Sequence, residues 1–180
     1  ARLLGGDARG LKRRAHGHGG STLRGQRLPK SVSRETTLSR DLRDPEELEA
    51  ILSLLTARVA GQLREEQLVG RTVTLKLRHD DFRTVTRRHT LEAATDLDAE
   101  LFEAARALFR EAFEEVRRRN RGVRLIGIAA TNLGVAAEAD LFEPPERQRL
   151  RELSAAVDKV RGKYGFGAVT PGSVLRARRK

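Results

Sequence analysis

Residues 70–93 read GRTVTLKLRHDDFRTVTRRHTLEA. From Thr72 to Arg78 polar and apolar residues alternate without a break. Val73, Leu75 and Leu77 therefore point one way, and Thr72, Thr74, Lys76 and Arg78 the other. Asp80-Asp81 sits where a tight turn is needed, and a second run from Phe82 to about Leu91 sets Val85 and Leu91 against Thr84, Thr86, Arg88 and Thr90. A metal site on the two adjacent acids would need a convergent partner, and the pair has none. The stretch is a hairpin with one apolar face and one face of hydroxyls and cations. A fold built on it must cover the first face and can leave the second open.

The cover is legible on both sides. Asp44-Pro45-Glu46-Glu47 is a helix start, with a capping acid, proline at the first helical position and Glu47 three residues on. Leu48, Ile51, Leu52, Leu55, Val59 and Leu63 follow at steps of three and four, predicting a helix near 45–66. Beyond Thr95-Asp96-Leu97-Asp98, a second helix near 98–119 carries Leu101, Phe102, Ala105, Leu108, Phe109, Ala112, Phe113 and Val116, and Asn120 or Gly122 can stop it. Two further strands flank this set. LPKSVSRETTL (28–38) has Val32 as the only apolar residue between Ser31 and Thr37, too little for a core strand. GVRLIGIAATNL (122–133) is mostly apolar, and its facing is ambiguous because Leu125 and Ile126 are adjacent. The expected fold is α+β: a βαββαβ four-stranded sheet with two helices on one face, an open basic face, and a tail with a helical pattern.

Composition narrows the partners. Lys and Arg number 36 against 25 Asp and Glu, a formal charge of +11. A chain this basic is expected to bind nucleic acid, with anionic membrane the lesser possibility. There is no Cys, which excludes disulfides, CxxC metal sites and cysteine nucleophiles. No apolar run approaches the ~18 residues of a membrane span, and no signal-peptide pattern opens the chain. An intracellular, cytoplasmic protein without a membrane partner is the expectation. The chain has no Met and starts at Ala1, which reads as part of a longer protein. Residues 1–15 look like the end of a helical region. Residues 16–27, with four glycines and His16 and His18, read as a flexible linker. The two histidines lack a third ligand nearby, so no metal is expected.

The open face is suited to phosphate: hydroxyls and cations position a protein on a duplex without reading bases. RNA-recognition modules share the βαββαβ order, but they stack bases on aromatics of their central strands. Here the matching strand has only Phe82 and His89, and strand one has no ring. That leaves backbone tracking along a duplex.

KSVSRETT (30–37), DFRTVTRRHTL (81–91) and GVRLIGI (122–128) resemble, in order and spacing, the C-terminal little-finger domain of Y-family DNA polymerases, DinB or DNA polymerase IV type. The resemblance covers about residues 1–142. It implies a thumb-like end at 1–15, a linker at 16–27, a DNA-binding little finger at 28–135 and a tail at 136–180. It also implies a domain that grips primer-template duplex. The implied contacts are Lys30, Ser31, Ser33 and Arg34 on strand one, Thr84, Thr86, Arg87, Arg88 and Thr90 on strand three, and Arg124 on strand four. Lys76 and Arg78 join them from the alternating hairpin. Leu125 and Ala129 stand where relatives often carry more basic residues. Family catalysis uses palm-domain acids and two magnesium ions. No such set occurs in this chain, whose carboxylates fall mostly at intrahelical pairing distance. The chain alone is expected to be inactive and to need no cofactor, magnesium being implied only for a parent polymerase active in DNA replication, repair and damage bypass.

After the last strand, EADLF (138–142) is similar to the sliding-clamp-binding peptides of such polymerases. Asp140, Leu141 and Phe142 match, while Glu138 and Ala139 replace Gln and Leu. A β-clamp is thus an expected partner, and the chain an expected monomer. Leu150, Leu153, Val157, Val160 and Tyr164 mark a third helix over 145–164. The competing readings are a stand-alone RNA- or DNA-binding module and a clamp-docking segment whose DNA affinity is incidental.

Overall fold

The computed structural model describes residues 8–18, 28–136, 144–172 and 174. In chain order these form α1 (Ala8–Ala15), β1 (Ser31–Leu42), α2 (Pro45–Glu65), β2 (Leu68–His79), β3 (Thr84–Thr95), α3 (Asp98–Arg118), β4 (Val123–Val135) and α4 (Pro145–Tyr164), followed by a single 3-10 turn at Phe166–Ala168. The strands lie in the order β1-β4-β2-β3, every neighbouring pair antiparallel. The expected α+β fold is the one observed.

Local chemistry places each element. Asp44 accepts a hydrogen bond from the Glu46 N–H at 2.9 Å, so the cap closes one residue earlier than the sequence pattern suggests, and Glu47 turns to Arg40 at 3.3 Å. The α2 stripe of Leu48, Leu52, Val59 and Leu63 is fully buried. So are Leu101, Ala105, Phe109 and Val116 of α3, with the Phe109 and Phe113 rings stacked at 5.3 Å. Asn120 ends this region at φ +49°, the left-handed conformation that Asn tolerates. Both helices pack on Val32 of β1, Val73, Leu75 and Leu77 of β2, and Ile126, Ile128 and Ala130 of β4.

The second strand of the hairpin begins at Thr84 rather than Phe82, because residues 80–83 are spent on the turn. Ion pairs cross between elements more often than expected. Glu49 of α2 holds Arg106 and Arg110 of α3 at 2.9 and 3.3 Å, beside intrahelical pairs such as Arg119–Glu115. The α4 stripe does not enter the core. Leu153 and Tyr164 are 60% and 66% exposed, and no α4 residue is buried. Its opposite side meets the domain through charge, with Arg147 on Glu100 (2.9 Å), Arg151 on Asp96 (3.2 Å), and Asp158 on Arg64 (2.6 Å). No helix among the described residues is long and apolar enough to cross a membrane.

Candidate nucleic-acid interface

Register turns the four strands into a grid. Because all pairings are in register between residues 72 and 78, the side opposite the helices carries four rows, each running β1, β4, β2, β3. The rows are Ser31–Thr131–Thr72–Thr90, Ser33–Ala129–Thr74–Arg88, Glu35–Gly127–Lys76–Thr86 and Thr37–Leu125–Arg78–Thr84. Eleven of these sixteen positions are occupied by Ser, Thr, Lys or Arg on the three strands other than β4, or twelve with Thr131. The β4 column is otherwise small or apolar, and it floors a trough of about 230 Å³ bordered by Ser33, Glu35, Thr74 and Lys76.

The grid is held by side-chain contacts. Lys76 Nζ donates to Glu35 Oε2 at 2.8 Å across β4. Gly127 makes that bridge possible, since a Cβ there would lie 2.7 Å from Glu35 Cβ. Arg78 Nε donates to Thr84 Oγ1 at 3.1 Å, and the Thr72 and Thr90 hydroxyls meet at 3.1 Å. Arg88 is exposed, and among the described residues no ion pair holds it.

Of the residues expected at this site, Ser31, Ser33, Lys76, Arg78, Thr84, Thr86, Arg88 and Thr90 share the open face, and Lys30 is exposed just before β1. Two do not share it. Arg34 alternates with Ser33 and so stands on the side of Val32, bordering a cleft between α2 and α4. Arg87 pairs with Leu75 in the register and reaches Glu111 and Glu115 of α3 at 3.4 and 3.6 Å. The parity of an extended strand is the physical reason in both cases: adjacent residues cannot serve one face. In β4 the ambiguity resolves with Leu125 on the open side and Ile126 in the core, through a register shift between Val123 and Leu125.

That shift puts Arg124 at the end of the grid, where it makes two bonds to Asp41 at 2.9 and 3.0 Å. The Asp41 carboxylate raises the Arg124 pKa above its usual value. The Arg124 guanidinium lies 4.7 Å from the Phe82 ring centroid. The sequence reading treated Phe82 only as a strand start and did not find this row; a lone aromatic beside a turn was the available signal. The expected clamp-binding residues Glu138, Asp140, Leu141 and Phe142 lie outside the described residues. Among the described residues no group of three His, Asp or Glu side chains converges.

A model of the impB/mucB/samB family C-terminal domain matches residues 29–141, which spans the whole sheet and both packed helices. The chain belongs to this family. It is a little-finger domain of the Y-family, DNA polymerase IV type. The DNA polymerase IV of Caulobacter vibrioides is 39% identical over 180 residues, which is 99% of this chain and 43% of that protein. That of Dehalococcoides mccartyi strain 195 is 37% identical over 147 residues, 82% of this chain and 37% of that protein. The chain thus spans about two fifths of the relatives it matches. Among solved structures, a Y-family DNA polymerase chimera (Dbh-Dpo4-Dbh) has a TM-score of 0.53 at 19% identity, over 72% of this chain and 36% of that one. A Dbh DNA polymerase insertion ternary complex scores 0.51 at 17% identity, over 73% of this chain and 36% of that one. At these identities the two likenesses concern the little-finger fold.

Proposed function

We propose that this little finger grips primer-template duplex DNA on its open sheet face, as part of a translesion DNA polymerase, and docks on a sliding clamp through residues 138–142. The observation that carries the first half is the grid of hydroxyls and cations on a surface that, among the described residues, has no apolar partner and no row of stacking rings. Such a surface offers many donors to phosphate oxygens and few means of reading bases. Glu35, an acid in the middle of it, is offset by Lys76. Synthesis past damage, its magnesium, DNA repair and a cytoplasmic location belong to the parent polymerase in this proposal, and the domain itself acts as a monomer.

The test is binding to duplex and to single-stranded DNA of equal length across a salt series. Duplex is expected to bind more tightly, and each of Arg78→Ala and Arg88→Ala should lower the log–log salt slope by about 0.9. A preference for single strands would favour the stand-alone RNA- or DNA-binding module instead. The clamp half rests on Asp140, Leu141 and Phe142 matching the clamp-binding pattern. Deleting 140–142 should abolish clamp binding with DNA affinity intact; loss of both would contradict this division of labour.

A further inference from the structure

Phe82 is difficult to explain as a folding residue. It is 66% exposed, so its ring contributes little burial, and its backbone sits at φ +65°, the left-handed region that an aromatic residue rarely adopts. The turn around it is nonetheless rigidly held. The Phe82 N–H donates to His79 O at 3.0 Å, and the Arg83 N–H donates to Asp81 Oδ1 at 3.1 Å. Asp80 exchanges two bonds with Gly122, its N–H donating to Gly122 O and its Oδ2 accepting from the Gly122 N–H, both at 3.0 Å. One side of the ring is backed by Arg124, itself fixed by Asp41. Asp41, Arg124 and Phe82 thus extend the phosphate-facing grid by a fifth row, beyond Thr37–Leu125–Arg78–Thr84, and that row ends in an open aromatic face.

We infer that Phe82, backed by Arg124, stacks on one unpaired nucleobase where the duplex held by the open face gives way to single strand. This rests on the phosphate-face reading above and names the DNA structure that face selects. Inside a duplex both faces of every base are covered by neighbouring base pairs, so a ring at the end of the grid can stack only where pairing stops. An aromatic supported by a guanidinium accepts any base, because every base has a π-face, and it adds affinity without sequence preference. A single ring does not make a single-strand platform, in keeping with the ring-poor strands. It marks a junction.

The experiment compares two primer-templates with the same 5′ template overhang, one carrying normal bases and one carrying abasic nucleotides in the overhang. Both have the same phosphates, so counterion release is matched and only stacking differs. The unaltered chain should bind the base-bearing overhang at least about fivefold more tightly, the lower end for one base on an aromatic. Phe82→Ala should bind the two alike, and Phe82→Trp should restore the difference. A 2-aminopurine at the first unpaired template position should change fluorescence on binding the unaltered chain and Phe82→Trp, and not Phe82→Ala. Urea melts establish that each variant is folded. Equal binding of the two DNAs by the unaltered chain, or a preference surviving in Phe82→Ala, would overturn the inference while leaving the phosphate grid standing. Failure to bind either DNA would overturn the grid and this inference with it.

Discussion

Glu35 shows how a single side chain can tune a surface rich in hydroxyls and cations. An acid in a phosphate-facing row should repel DNA, but its carboxylate is committed to Lys76 at 2.8 Å, over the gap left by Gly127. Glu35 thereby also occupies a cation that DNA could use. Glu35→Gln should free Lys76 for a phosphate, tightening duplex binding and steepening the log–log salt slope by about 0.9, read from titrations between 50 and 200 mM salt. Gly127→Ala should drive its new methyl into the β1 backbone and cost about 1–3 kcal/mol in urea denaturation, since Glu35 Cβ and Arg34 O stand within 2.7 and 3.3 Å. Asp80 supplies a pH signature. The Gly122 N–H bond, outweighing burial, lowers its pKa from the ordinary Asp value. A folded-state pKa below the unfolded one gives stability that is complete above the unfolded value of about 3.9 and is lost as pH falls through the folded value. The difference in melting temperature between the unaltered chain and Asp80→Asn should therefore be constant above about pH 5 and shrink below pH 4.

At the scale of elements, α2 and α3 are held by apolar packing and α4 by charge. Arg64 stands between Asp98 at 2.8 Å and Asp158 at 2.6 Å. Burial disfavours its cation, and the hydrogen bonds it donates to the two acids, with their negative charge, outweigh that, so its pKa lies above the usual arginine value. Burial also raises the Asp98 pKa, against the pull of Arg64 and Arg161. Past the end of α4, Phe166 is clasped by Arg58 at 4.7 Å and Arg161 at 4.4 Å. Raising salt from 0.15 to 1 M shortens the screening length from about 8 to about 3 Å and weakens the partly exposed pairs. Amide exchange should then accelerate in α4 while α2 and α3 keep their protection, and Arg64→Ala should produce the same pattern at low salt. Uniform protection across all three helices at 1 M salt would show that α4 is not held by charge.

For the whole molecule, one apolar layer between the helices and the sheet carries the stability, because among the described residues nothing covers the other sheet face. Phe109 sits at its centre, 1% exposed, against Phe113. Phe109→Ala should cost about 3–5 kcal/mol, measured as a shift of a single cooperative urea transition. Changes on the open face such as Arg88→Ala should leave that transition within about 0.5 kcal/mol while weakening DNA binding. In the proposed reading, stability and DNA binding are thus divided between the two faces of one sheet.

Alternation and 3.6-residue periodicity are local, so α2, α3, the β2–β3 hairpin and the polarity of its open face were legible along the chain. Val73, Leu75 and Leu77 needed no partner to reveal their side. Arg34, Arg87 and Leu125 did, because a strand rich in polar residues, or one with adjacent apolar residues, admits either parity until its neighbours set the register. The stripe of Leu153, Val157 and Val160 marked a helix but named no partner for it; Asp96 and Glu100 at the start of α3 and Arg64 of α2 hold the charged side of α4. The sequence by itself determined which residues could form a core and that one face would remain basic. Only tertiary structure decided that Glu35 meets Lys76, that Arg34 leaves the row, and that Phe82 and Arg124 complete it. Each of those depends on strands far apart in sequence being laid side by side.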